Sequence, residues 1–149
     1  MIIIDTSVWL DLFIENSERK KLAENLMRII DECSLIVYEP EVFKVELAGV
    51  LSRRFKKEDV LRFIEDISVA VEVVENPTNL AFWTALKTGG RAIDSYFIAT
   101  AEMTDSILVS NDRVMVNNAR KVGVKAYYLL EQSKELSEAL KCNEPETFK

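Results

Sequence analysis

The first ten residues, MIIIDTSVWL (1–10), decide how the rest of the chain is read. Ile2, Ile3 and Ile4 are a β-branched run that ends on an ionisable side chain, Asp5, with Thr6 and Ser7 directly after it. A short β-branched run predicts a buried strand, here over 2–5. Asp5 then has two readings. It caps a helix beginning near Val8 by accepting bonds from free N–H groups, or it is a metal ligand at the edge of a sheet. The stretch alone does not choose between them.

Working outward, short apolar strands alternate with helical segments. Helical spacing of Leu22, Leu26, Ile29 and Ile30 predicts a helix over 18–32. LIVY (35–38) reads as the second strand, with Pro40 opening a helix over 41–54. A further helix is expected over 58–68, a strand at VEVV (71–74), and helices over 78–88 and 93–103. ILVS (107–110) is the fourth strand, 113–122 a helix closed by Gly123, AYYLL (126–130) the fifth strand and 132–141 the last helix. Strands that are apolar throughout and alternate with helices predict an α/β three-layer sandwich with a central parallel five-stranded sheet. In such sheets ligands bind beyond the carboxyl ends of the strands. One domain is expected over 1–141, with a flexible tail at 142–149.

Composition narrows the chemistry. The chain has 149 residues, 48% hydrophobic and 30% charged, which reads as one globular domain. No apolar run reaches the ~20 residues of a membrane helix, and the N-terminal run is too short for a signal peptide and contains Asp5. A cytoplasmic location with no membrane partner is the expectation. Histidine is absent, which removes Ser-His-Asp triads, Cys-His pairs and imidazole zinc sites. Cys33 and Cys142 have neither metal nor redox spacing and read as reduced thiols. Catalysis, if present, rests on carboxylates, hydroxyls, Lys, Arg, Tyr or a hard metal ion.

Four acids stand out. Asp5 ends the first strand, Asp112 follows the fourth, and Asp94 lies in the first turn of its helix. Each also suits a capping or helix-dipole role. Glu46 is harder to place on a surface. Its helical neighbours are Val42, Phe43, Gly49 and Val50, none of them basic. A carboxylate on an apolar stripe needs a cation or a raised pKa. Gathered at one edge, the four would repel one another, and one or two Mg²⁺ or Mn²⁺ ions would relieve that repulsion. Metal-activated water hydrolyses phosphodiesters without histidine.

The ordered set IIIDTSVWL, KVEL, RAIDSYFIATAE and ILVSNDRV resembles the PIN-domain proteins, in the group that includes the VapC-type toxin ribonucleases. The resemblance covers nearly the whole chain. It implies strand order 3-2-1-4-5, Mg²⁺- or Mn²⁺-dependent endoribonuclease activity on RNA, and Asp5, Glu46, Asp94 and Asp112 as ligands and catalytic residues. It places Ser7 and Ser110 as orienting hydroxyls behind them, Ser110 standing where Thr is commoner. Local backbone capping is the plainer reading of both serines. The resemblance also implies a homodimer and, for toxin members, a blocking antitoxin protein.

Net charge is 19 − 25 = −6, which argues against a broad basic face for nucleic acid. Local cations must then do the work. Arg91 and Arg113 flank proposed ligands, and Arg53 and Arg54 head the densest basic cluster; all four are candidate phosphate contacts, with solvated surface positions as the alternative. Aromatics, including Phe82 and Trp83, read as core; Tyr96, on the helix that carries Asp94, is the exception to watch. Two other classes compete. One is a catalytically inactive PIN-like regulatory or interaction module. The other is a phosphoacceptor or phosphatase domain with Asp5 as nucleophile. Receiver domains show adjacent acids where Thr6 follows Asp5 here, and haloacid-dehalogenase-type phosphatases carry a second Asp where Ser7 stands.

Overall fold

A computed structural model describes residues 1–14 and 17–141. The tail expected over 142–149 lies outside the described residues. The chain runs β1 (Ile2–Ile4), α1 (Thr6–Phe13), α2 (Ser17–Glu32), β2 (Val37–Pro40), α3 (Val42–Leu51), α4 (Lys57–Ala70), β3 (Glu72–Val74) and α5 (Thr78–Thr88). It continues through α6 (Ala92–Thr104), β4 (Ile107–Ser110), α7 (Arg113–Lys121), β5 (Ala126–Tyr128) and α8 (Leu129–Leu140). All strand pairs are parallel and the sheet order is β3-β2-β1-β4-β5. Fold class and strand order are those the sequence implied.

The central strand explains its own composition. Ile2, Ile3 and Ile4 are each 0% exposed, because helices cover both faces. Full burial of one such side chain is worth about 1.5–3 kcal/mol. Helix α6 lies across β2, β1 and β4 with α5 against it, while α1, α2 and α8 pack in a row. Sequence order proceeds from β1 outward through β2 to β3, then returns to β4 on the other side of β1. The crevice at the carboxyl ends of β1 and β4 is therefore the switch point of the sheet. Asp5 directly follows β1, and Asp112 lies two residues past β4.

Several boundaries differ from the sequence reading, for identifiable reasons. The second strand is Val37–Pro40, not 35–38. Ser34 adopts a left-handed φ of 48° and Leu35 N–H donates to Ile30 O at 2.9 Å, so this pair closes α2 instead of opening a strand. Pro40 is the last residue of β2. The edge strand β3 is not covered on both faces; Glu72 and Val73 are exposed. The buried stripe of α3 is Phe43, Leu47 and Leu51, which leaves Glu46 at its border and half-buried. Phe82 and Trp83 are 60% and 53% exposed, not core. Helix α5 buries its small face, Ala81 and Thr84, and the two rings meet edge to face outside. Cys33 is disulfide-bonded, not the reduced thiol expected.

Candidate active site and metal centre

Asp5 leaves β1 as the residue before α1, yet its side chain makes no capping bond. Its backbone N–H donates to Val109 O of β4 at 2.9 Å. Its carboxylate Oδ2 instead accepts from two hydroxyls, Ser7 Oγ at 2.6 Å and Ser110 Oγ at 2.7 Å. Each hydroxyl is oriented from behind. Ser7 Oγ accepts from Asn111 N–H and Ser110 Oγ from Asp112 N–H, both at 2.9 Å. The loop after β4 is thereby tied to the turn after β1. Burial raises the pKa of Asp5, and the two hydroxyl bonds oppose that rise.

Glu46 reaches the same edge from the middle of α3. Thr6 Oγ1 donates to its Oε2 at 2.6 Å. Burial raises its pKa first, Thr6 opposes it, and the charges of Asp5 and Asp94 raise it further. Asp94, 5% exposed in the first turn of α6, is also raised chiefly by burial. Arg91 opposes that effect, while Asp5 and Asp112 add to it. Thr6, the residue after Asp5, thus ties Glu46 to the edge where Asp5 lies.

Asp112 fulfils the capping reading and turns its second oxygen to Arg91. Its Oδ1 caps α7 by accepting from Val114 N–H at 2.9 Å and Met115 N–H at 3.3 Å. Its Oδ2 accepts from Arg91 Nη2 at 3.0 Å. The same guanidinium contacts Asp94 at 3.1 and 3.3 Å. Arg91 thus bridges two of the acids and neutralises part of their charge, which holds its own pKa up.

Behind the site lies a carboxyl that the sequence reading passed over. Glu39 in β2 is 0% exposed. Its Oε1 accepts from Ile4 N–H and from Trp9 Nε1, both at 3.1 Å, while Oε2 has no partner. Burial pushes its pKa well above the ordinary value. It clasps the end of β1 and helix α1 together on either side of Asp5. Thr6 was also missed; its signal was a hydroxyl directly after the first acid.

The candidate cations fare differently. Arg91 is at the site. Arg113 pairs with Glu131 and lies over the Tyr128 ring at 5.0 Å. Arg53 and Arg54 are exposed in the turn after α3. Tyr96 lies on α6 with its hydroxyl 3.3 Å from Thr78 Oγ1.

Carboxylate oxygens without imidazole or thiolate suit a hard divalent cation, and mutual repulsion gives the acids a reason to take one. Among the described residues no three acids are already drawn into one coordination shell. The donor chemistry fits, and the acids would have to close around an ion.

A family profile described as PIN domain matches residues 2–121. No curated protein is detectably similar in sequence. Among solved structures, PAE2754 from Pyrobaculum aerophilum superposes with TM-score 0.62 at 17% identity, covering 93% of this chain and 95% of that one. FitAB bound to an IR36 DNA fragment gives 0.63 at 19%, covering 85% and 94%. FitAcB from Neisseria gonorrhoeae gives 0.62 at 16%, covering 85% and 96%. At these identities the likeness is one of fold.

Proposed function

The chain belongs to the PIN domain family, and from that premise we propose that it is a divalent-metal-dependent endoribonuclease whose centre is Asp5, Glu46, Asp94 and Asp112. The observation that carries the reading is convergence. Four acids from four separate elements meet at the switch point of the sheet, and each is held there by a hydrogen bond from another element or from the adjoining turn.

The residues divide the work. Ser7 and Ser110 oppose the rise that burial gives the Asp5 pKa. Thr6 does the same for Glu46. The α7 cap fixes Asp112 by one oxygen and leaves the other accepting from Arg91, which also bonds Asp94. Mg²⁺ or Mn²⁺ held by these acids would supply an activated water and charge stabilisation for phosphodiester hydrolysis. Arg91, 75% exposed at its side chain, can contact a phosphate of the RNA strand when it is not bridging the acids. Resemblance to VapC-type toxins supports a homodimer, a blocking antitoxin and a cytoplasmic location. No helix among the described residues is long and apolar enough to cross a membrane.

The test uses wild type with Asp5→Asn, Glu46→Gln and Asp94→Asn, labelled structured RNA, and Mg²⁺, Mn²⁺ or EDTA. Wild type is expected to cut only with metal. The variants are expected to remain folded, to lose metal heat in calorimetry, and to lose more than the roughly 100-fold typical of residues behind a ligand. Equal cutting by all four proteins, or a wild type that binds no metal, overturns the assignment.

A further inference from the structure

A cavity of about 550 Å³ opens beside Asp94 and Asp112. Its size is within the range of about 300–1,000 Å³ typical of ligand sites. One wall is the chain at Gly90 and Arg91; the other is α7, which contributes Val114, Asn118 and Lys121. Those three are spaced i, i+4 and i+7, one face of the helix. Because Asp112 caps α7, that face is registered directly to a proposed metal ligand.

We infer that this cavity is the subsite for the nucleotide adjoining the scissile phosphate, with Lys121 contacting the backbone phosphate and Asn118 the base edge. The inference rests on the endoribonuclease reading and adds where the strand lies. Three observations support it. The cavity brings two cations, Arg91 and Lys121, to the acids in a chain whose net charge is −6; an RNA strand needs such a local field. Arg113, by contrast, is occupied by Glu131 and Tyr128.

Asn118 is the second observation. It is 5% exposed, and its Oδ1 accepts from Lys121 Nζ at 3.4 Å. Its amide Nδ2 donates to none of the described residues. Asn118 lines the cavity, so this donor is open to it, and a base-edge oxygen or nitrogen entering there would accept from it. Gly90 is the third. A Cβ there would meet Asn118 Nδ2 and Thr88 Oγ1, both at 3.1 Å. The bare backbone keeps this wall beside Asn118 open.

Cleavage kinetics on labelled single-stranded RNA in Mn²⁺ test the subsite, with Mn²⁺ calorimetry on the same proteins. Lys121 is exposed, so Lys121→Glu is expected to melt as wild type does. It should raise KM about 10-fold while kcat and Mn²⁺ affinity stay within about twofold, and Lys121→Ala should reduce the salt slope of binding by about one. Asn118→Ala should alter which nucleotide is preferred beside the cut. Lys125→Glu, at the amino-terminal edge of the sheet, is the control and should leave KM unchanged. If wild type cuts and both the Lys121 and Asn118 variants cut the same sites with wild-type KM, the subsite is wrong and the nuclease reading stands. If wild type binds Mn²⁺ but cuts no RNA, the nuclease reading falls and the subsite with it.

Discussion

The two flanks of the site are built differently. On the β1 side, Asp5 is 6% exposed and held by neutral hydroxyls that are themselves oriented by backbone N–H groups. Glu39, fully buried, locks the strand end and α1 behind it. On the α6 side, Asp94 and Asp112 are bridged by one long cation whose side chain is 75% exposed. One flank is fixed by packing and short bonds between buried groups; the other is balanced by a charge that water can release. On the proposed metal-dependent reading, a centre that admits an ion and then a phosphate would use both. The rigid half sets the position, and the exchangeable half makes room.

The comparison breaks most decisively at Glu39. Glu39→Leu leaves Trp9 Nε1 without its acceptor and removes one from Ile4 N–H, in a setting where each orphaned donor costs about 1–3 kcal/mol. For a protein of this size that lowers Tm by about 2–4 °C per kcal/mol, read by thermal melting in EDTA. Glu39→Gln keeps an acceptor and separates packing from charge. Glu39 in the folded chain holds its proton to a higher pH than in the unfolded chain. Its contribution is therefore complete below its ordinary value of 4.5 and is lost as pH rises through the raised folded value. Gln has no such loss, so the stability gap should move in favour of Glu39→Gln as pH rises. A gap independent of pH would mean that Glu39 is charged in the fold and that the rigid flank rests on something else.

A smaller effect should come from the hydroxyls. Ser110→Ala removes one of the two donors to Asp5 Oδ2 and the acceptor of Asp112 N–H. Residues behind a metal ligand typically contribute about 10–100-fold in metal affinity or activity, so Mn²⁺ binding should weaken within that range. Ser110→Thr, which keeps the hydroxyl, should restore it. If Ser110→Ala binds Mn²⁺ as wild type does, the hydroxyl relay is local capping and the flanks are less different than their geometry suggests.

What was legible in the sequence follows the same division. Asp5, Ser7, Ser110 and Asp112 lie within three residues of strand ends, so a short continuous apolar run followed by a polar residue points to them directly. Glu46 was visible as a carboxylate among apolar neighbours, although the buried stripe is Phe43, Leu47 and Leu51 and leaves it at the border. The partners were not legible. Thr6 meets Glu46 across 40 positions and Ser110 meets Asp5 across 105, distances that no local pattern spans. Glu39 was hidden because Pro40 reads as a helix start when it ends a strand, and a glutamate beside it looks like surface. Arg113 looked free because Glu131 lies 18 residues away. Composition named the chemistry of the acids, and only the fold shows which cation reaches them.

The smallest expected effect belongs to Arg91, and it sharpens the comparison most. An exposed ion pair contributes about 0–1 kcal/mol, so Arg91→Gln should change the metal-free Tm little. Its effect should appear when an ion competes for the same carboxylates. With the guanidinium gone, Asp94 and Asp112 no longer have a counter-charge of their own, and Mn²⁺ affinity by calorimetry should rise a few-fold, because the ion need not displace Arg91. RNA affinity should move the opposite way, with a salt slope smaller by about one if the freed guanidinium contacts a phosphate. Opposite signs for metal and RNA in one variant are what an exchangeable counter-ion produces. A variant in which both affinities fall together would instead make Arg91 a fixed part of the acid framework, and the α6 flank would be as rigid as the β1 flank.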